Sequence, residues 1–133
     1  MKRSSATHSG TIERGRDTRH IRRVVIESPY AGDIDRNVAY ARRAILDSVA
    51  RGEAPIASHL LFPTFILDDN VDASRRLGIE CGLAWHHACD AVVFYKDLGM
   101  SPGMETARVH CEAHGIHWEV RYLEPFVKPE VEK

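Results

Sequence analysis

The stretch Asp90-Ala-Val-Val-Phe-Tyr95, followed after a short link by Ser101-Pro-Gly-Met-Glu105, decides the fold of this chain. Its apolar part predicts a buried β-strand that ends in a loop and leads directly into a helix. Ser101 is a favoured N-cap, and Pro102 suits the first helical position. Unpaired N–H groups and the positive end of the helix dipole would then face the space beyond the strand, as in many anion sites. Taken alone, however, such residues more often mark an ordinary helix start.

Length, charge and cysteine content limit the class of protein. The 133 residues fit one domain with a single core. With 18 Lys and Arg against 19 Asp and Glu, the chain has no overall field that would gather nucleic acid or an anionic membrane. The three cysteines lack metal-type spacing and are predicted to be small apolar core residues in a reducing compartment. Since no apolar run suits a signal peptide or a membrane span, we expect a cytoplasmic protein without a membrane partner.

Strand and helix patterns alternate along the chain. Strands are predicted over residues 21–27, 55–62, 91–95 and 116–123. Helices are predicted over residues 35–52, from residue 72 and over residues 101–114, with inward stripes at Val38, Ala41, Ile45 and Val49 and at Leu77, Cys81, Ala84, Trp85 and Ala88. Because the strands are apolar rather than alternating, we expect a three-layer α/β domain, Rossmann-like or flavodoxin-like, with a mainly parallel sheet of four to five strands.

This domain is expected to span residues 21–124, between two tails. Residues 1–20 are predicted to form a flexible basic tail, since they offer almost no apolar residues to bury, and residues 125–133 an irregular C-terminal tail, since Pro125 and Pro129 lie among charged residues. The arginines of the first tail could contact phosphate, but such tails are more often simply solvated. We therefore expect no nucleic-acid partner.

Ligands of parallel sheets bind beyond the carboxyl ends of the strands, where the connections diverge to opposite faces. The candidate site is therefore formed by residues 28–37, 59–70 and 95–105. Its first segment has neither the glycines nor the lysine of dinucleotide-binding and Walker loops, so we expect no cofactor. His86 and His87 cannot both face one side of a helix, so we also expect no metal.

Several polar residues of this region have two interpretations each. Tyr30 could stack on a base or pack as a lid, and Arg36 and Asn37 could bind a sugar or phosphate or only cap the helix. Glu105 lies in the first turn of the helix that would face an anion, where acidic residues are also common for dipole reasons. Glu80 lies among apolar residues, where an unpaired buried charge would be costly.

Three motifs in this order resemble the nucleoside 2-deoxyribosyltransferase superfamily: Glu27-Ser-Pro-Tyr-Ala-Gly32, Cys89-Asp90-Ala-Val-Val and the helix start Ser101-x-Gly103. The segment from Leu77 to Trp85 is similar to that of small uncharacterised members. The resemblance runs from about Arg22 to Leu123. It implies a flavodoxin-like domain, homo-oligomers, and N-glycosidase or transferase chemistry on nucleosides or nucleoside 5′-monophosphates.

The resemblance also implies roles for single residues. Phosphate binding falls to Ser101 and Gly103, and we add Met104 from the same helical turn. The candidate catalytic carboxylates, Glu105 and Glu80, are chosen from their own positions in the sequence. The candidate base- and sugar-binding residues are Ser28, Pro29, Tyr30, Arg36, Asn37 and Asp90.

One position departs from the family pattern. Ala107 occupies the position of the family's nucleophilic glutamate, and Glu105 comes two residues early, a rotation of about 200° around a helix. Two functions therefore remain open. The protein either cleaves or transfers the N-glycosidic bond, or it binds nucleotides without chemistry, as a sensor or sequestering module.

Overall fold

The computed structural model describes residues 17–62 and 71–123, which form a three-layer α/β domain. The strands are β1 (Arg23–Glu27), β2 (Ala54–Ile56), β3 (Ala91–Tyr95) and β4 (Trp118–Arg121). The helices are α1 (Ile34–Ala50), α2 (Ser58–Leu61), α3 (Asp72–Trp85) and α4 (Pro102–His114), with 3-10 turns at Thr18–His20 and His86–Ala88. The predicted fold class is confirmed. The predictions for residues 1–16, 63–70 and the C-terminal tail lie outside the described residues.

All strand pairs of the sheet are parallel, in the order β2-β1-β3-β4. The chain moves outward from β1 to β2, then crosses back to β3 on the other side of β1. In register, Val24 lies beside Ala91 and Val92 beside Trp118. The connections that leave β1 and β3 therefore diverge to opposite faces, and the point of divergence lies between these two central strands.

The core consists of two layers, one on each face of the sheet. Tyr40 and Ala44 of α1 pack on the face formed by Val24, Ile26, Ala91, Val93 and Tyr95. Met104, Ala107 and Cys111 of α4 pack on the opposite face, formed by Val25, Val92 and Phe94. All three cysteines are free thiols; Cys111 is buried as predicted, whereas Cys81 and Cys89 are half-buried.

The second predicted strand is wrong over most of its length. Only Ala54–Ile56 is extended, and Ser58–Leu61 forms the short helix α2 instead. β2 is an edge strand that pairs with β1 alone, and Pro55 has no N–H to donate to a further strand. At this edge of the sheet, the apolar run after Ile56 therefore leaves the strand and forms α2.

The predicted inward stripe of α3 is also wrong. Leu77 is 51% exposed and Trp85 is 48% exposed, while Gly82 is buried. A Cβ atom on Gly82 would lie 2.9 Å from Oγ of Ser58, so α3 approaches α2 through this glycine. A face of small residues produces no signal in a hydrophobic pattern, which explains the error.

The stripe predicted for α1 is right only in part. Ala41 is buried, but Val49 is 52% exposed. Ile45 packs against the core as predicted, and the main contacts of α1 with the sheet come from Tyr40 and Ala44, one helical position away from the predicted stripe.

A charged network ties the amino end of β2 to α1 and β4. Both carboxylate oxygens of Glu53 accept hydrogen bonds from Arg121, at 2.8 and 2.7 Å. Arg22 donates to Glu53 at 2.9 Å, and the hydroxyl of Ser48 donates at 2.8 Å. These bonds, chiefly those from Arg121, outweigh burial and lower the pKa of Glu53 to about 2. Glu53 thus stabilises the fold as a carboxylate.

No helix in residues 17–62 and 71–123 combines the length and apolar character that crossing a bilayer requires.

We expect the Glu53→Gln protein to be less stable than the parent by about 2 to 3 kcal/mol near neutral pH. The folded pKa of Glu53 lies below its ordinary value of 4.5. Its contribution is therefore complete above that value and is lost as the pH falls toward 2. Urea unfolding at a series of pH values should show the parent and the variant converging in acid.

Glu112→Gln is the matched control, because Glu112 is an exposed carboxylate of α4 that pairs with Arg108. This control should change stability by less than about 1 kcal/mol. A stability loss in Glu53→Gln that stays constant from neutral to acid pH would contradict the assigned role.

Candidate functional site

A cleft opens at the carboxyl ends of β1 and β3, where their connections diverge. Its volume is about 260 Å³. Four parts of the chain line it: the end of β1 with the following loop, α2, one face of α3 and the first turns of α4. In the same order, the lining includes Glu27, Ser28 and Tyr30; Ser58 and His59; Arg75, Gly78 and Gly82; and Ser101, Gly103, Met104 and Ala107. The cleft therefore lies where parallel-sheet proteins bind their ligands.

One side of the cleft is the amino end of α4. The hydroxyl of Ser101 accepts the N–H of Met104 at 3.3 Å, and Pro102 occupies the first helical position. Gly103 has no side chain to cover the first turn, and both Gly103 and Met104 line the cleft. The structure thus brings together the three residues predicted to bind phosphate, at the positive end of a helix dipole.

Arg75 brings a cationic side chain to the same cleft. It belongs to α3, and it lines the cleft together with Ser74 and Gly78 of the same helix. Sequence reasoning missed Arg75, because nothing in the helical pattern distinguishes it from its exposed neighbour Arg76.

Glu27 is the acidic group of the cleft lining. It is the last residue of β1, is only 8% exposed, and receives a hydrogen bond at 3.0 Å from Nε2 of the fully buried His86. Sequence reasoning used Glu27 only as the start of a motif. A charged residue at the carboxyl end of an otherwise apolar strand was the available signal.

His59 and Ser28 form a second polar pair in the lining. Nε2 of His59 and the hydroxyl of Ser28 lie 2.8 Å apart. Nδ1 of His59 is buried and has no hydrogen-bond partner among the described residues. Burial lowers the pKa of His59, so its ring is neutral near pH 7. Ser28 thus places a hydroxyl with a fixed, neutral partner in the lining of the cleft.

Asn37 fixes the loop that carries Tyr30 through two hydrogen bonds. The side-chain N–H groups of this buried residue donate to the carbonyl oxygens of Tyr30 and Ala31 at 2.9 and 3.0 Å. Arg36 in turn donates to the side-chain oxygen of Asn37. Tyr30 lines the cleft, whereas Arg36 and Asn37 do not. The role of these two residues is to position the loop that carries Tyr30.

The remaining predicted site residues lie away from the cleft or behind its wall. Pro29 is buried between the lining residues Ser28 and Tyr30. Asp90 precedes β3, at the opposite end of the sheet, where its carboxylate accepts the N–H of Arg23 at 2.8 Å. This contact stabilises the pairing of β1 with β3.

Neither predicted catalytic carboxylate lines the cleft. Glu80 is exposed on α3, so the cost of burying its charge does not arise. Glu105 is exposed on α4 and forms an ion pair with Arg108 at 2.8 Å. Ala107, by contrast, is 2% exposed and does line the cleft. The position that the resemblance assigns to a glutamate thus presents a methyl group.

Metal-ligating side chains gather in one place within the described residues, and that place is outside the cleft lining. His87, His110 and His114 come close enough to share an ion. His86 and His87 lie in a 3-10 turn, and both rings contact His110, so the prediction from the faces of one helix did not consider His110 and His114. These two residues have the i, i+4 spacing that places side chains on one helix face.

Comparison with known proteins identifies the family but no activity. No curated protein matches the sequence significantly. Residues 22–121 match one family model, a span that includes all four strands and the helices between them. The chain therefore belongs to the family described as Domain of unknown function (DUF7768).

Proposed function

We propose that this protein binds a nucleoside 5′-monophosphate in the cleft between β1 and β3, with the phosphate at the amino end of α4. The observation that carries the proposal is the joint lining of one cleft by Ser101, Gly103 and Arg75. Helix N–H groups and a guanidinium are the donors that commonly hold phosphate in proteins. The resemblance to nucleoside 2-deoxyribosyltransferases supports the same assignment.

The orientation of the ligand follows from the charges of the lining. Arg75 and the start of α4 favour a dianionic phosphate, whereas Glu27 repels it. The nucleoside then lies toward the end of β1, beside Tyr30, Ser28 and His59. Tyr30 provides an aromatic ring for stacking on a base, and the hydroxyl of Ser28, paired with Nε2 of His59, provides a polar group of the lining for a sugar or base hydrogen bond.

The size of the cleft supports a small ligand. Its volume of about 260 Å³ is near the lower end of the range of ligand pockets, which begins at about 300 Å³. A mononucleotide suits such a volume better than a dinucleotide does. The absence of a dinucleotide-binding fingerprint agrees with this choice.

The burial of Glu27 favours a second candidate function, cleavage or transfer of the N-glycosidic bond. A carboxylate in this position can attack the anomeric carbon or stabilise its cationic transition state while the base departs. Glu27 suits this role better than Glu80 or Glu105, because it alone of the three lines the cleft. In a binding module without chemistry, the same carboxylate would only accept a hydrogen bond from the ligand.

Homo-oligomerisation and a cytoplasmic location, which follow from the resemblance and the composition, stay predictions.

Replacement of Ser101 separates phosphate binding from helix capping. Aspartate caps a helix as well as serine does, so Ser101→Asp should keep the parent's thermal stability. Its charge should nevertheless weaken binding of deoxynucleoside 5′-monophosphates by about tenfold or more, because like charges at close range cost ~1 to 4 kcal/mol. Isothermal titration calorimetry with the monophosphates and the matching nucleosides should show the loss for the phosphorylated ligands alone.

Ser101→Ala completes this experiment, because it removes the cap and should cost about 1 kcal/mol of stability. If Ser101→Asp binds the monophosphates as tightly as the parent does, the phosphate does not lie at the amino end of α4.

Arg75→Met tests the cationic contribution. We expect about a fivefold loss of monophosphate affinity, equal to ~1 kcal/mol for a partly exposed charge pair, and no change for the nucleoside. Arg76→Met is the matched control, since Arg76 is an exposed arginine of the same helix that does not line the cleft. Equal losses in the two variants would indicate a general charge effect, contrary to the proposed contact.

Glu27→Gln decides between the two candidate functions. Protein at high concentration is incubated with ribo- and deoxyribonucleoside monophosphates, with and without an acceptor base, and free bases are separated by liquid chromatography. If the protein is an N-glycosidase or transferase, Glu27→Gln should lower base release by about 10²-fold or more while Glu105→Gln leaves it unchanged. The amide oxygen introduced by Glu27→Gln can still accept the hydrogen bond from His86, so the fold should persist.

Two results would redirect this assignment. If base release depends on Glu105 or Glu80, the catalytic role belongs to the carboxylates predicted from the sequence and Glu27 has no part in it. No release from folded protein that binds the monophosphate would leave binding without chemistry as the function.

A further inference from the structure

Three histidines from two separate elements meet on the surface beside the end of α3. His87 belongs to the 3-10 turn His86–Ala88, and His110 and His114 lie one turn apart on α4. The ring centroids are 5.1 Å apart for His87 and His110, 5.0 Å for His87 and His114, and 4.5 Å for His110 and His114. One nitrogen from each ring lies within 4.8 Å of the other two.

The charges around this cluster do not explain its assembly. Within the described residues, no carboxylate forms an ion pair with any of the three rings; Glu112 of the same helix instead pairs with Arg108. Protonation of all three would place like charges about 5 Å apart without a counter-ion, which is unfavourable. Neutral imidazoles that converge on one point have the form in which histidine binds metals.

A hydrogen-bond chain runs from His110 of the cluster through buried His86 to Glu27. A carboxylate only accepts, so Nε2 of His86 donates to Glu27, at 3.0 Å. Nδ1 of His86 lies 3.1 Å from Nδ1 of His110, so these two ring nitrogens share one hydrogen bond. A hydrogen bond donated by Nδ1 of His110 leaves the lone pair of its ring on Nε2. Metal-binding histidines are commonly fixed in this way, by donating their other N–H to a group that is itself anchored to a carboxylate.

We propose that His87, His110 and His114 form a binding site for a divalent transition metal of the zinc class, with solvent as the remaining ligand. Three imidazoles and a water match the coordination of open zinc sites, whereas Mg²⁺ and Ca²⁺ prefer oxygen ligands. Tetrahedral zinc, with Zn–N bonds of about 2.1 Å, needs nitrogens about 3.4 Å apart. The exposed rings of His87 and His114 can close this distance by side-chain rotation.

The site is separate from the nucleotide cleft, and its existence does not depend on the proposed function. A hydrogen-bond chain connects the two sites, however, because Glu27 lines the cleft and accepts from His86, which in turn bonds His110. A metal bound to Nε2 of His110 makes the N–H of its Nδ1 a stronger donor, which holds His86 in the tautomer that points its other N–H at Glu27.

The test is titration of the full chain, prepared without a polyhistidine tag and freed of metal, with ZnCl₂ in a calorimeter. The parent should bind one zinc per chain. The His87→Gln and His114→Gln variants each remove one exposed ligand and should lose affinity by about tenfold or more. His20→Gln, which changes an exposed histidine outside the cluster, should bind zinc as the parent does.

Thermal unfolding and cobalt spectroscopy complete the design. Zinc should raise the melting temperature of the parent more than that of either cluster variant. Co²⁺ should give the visible bands of a nitrogen and oxygen site without a thiolate charge-transfer band. Absence of saturable zinc binding by the parent, equal binding by the parent and both cluster variants, or a thiolate band that places the metal on a cysteine would each overturn the proposal.

Discussion

The parallel pairing of β1 with β3 is the constraint on which the rest of the structure depends. Parallel neighbours must end at the same edge of the sheet, and here the chain leaves them toward opposite faces. The edge between them therefore stays open as a cleft, and Glu27 and Ser101 both line it. Asp90 reinforces this pairing at the far end of the strands by accepting the N–H of Arg23.

The same arrangement separates opposite charges within one small cleft. The amino end of α4 and Arg75 provide positive potential, while Glu27 provides a negative group close to the sheet. A buried carboxylate needs a partner, and His86 fills this role from the opposite side, away from the solvent. The acceptor capacity that Glu27 keeps toward the cleft is thus available to a ligand.

How far the sequence predicts each part depends on whether its signal is local. The bounds of β3 are predicted correctly and those of α4 to within one residue, because an uninterrupted apolar run and a Ser-Pro-Gly start are local features. The inward face of α3 is predicted wrongly, because this helix packs through Gly82 against Ser58, a contact between distant parts of the chain. The three histidines of the surface cluster likewise come from two elements, so the i, i+4 spacing of the sequence contained a signal for the pair on α4 alone, which the prediction of no metal did not use.

Ala107 and Glu27 together alter what the resemblance implies about chemistry. The superfamily pattern places its carboxylate on the helix that also binds phosphate, and here that position is a buried methyl group. The carboxylate of this cleft comes instead from β1, and its hydrogen bond to His86 continues through His110 toward the surface. Glu27 is held by a hydrogen-bond chain that runs through His86 to His110 of α4, so its position depends on these side chains as well as on the backbone.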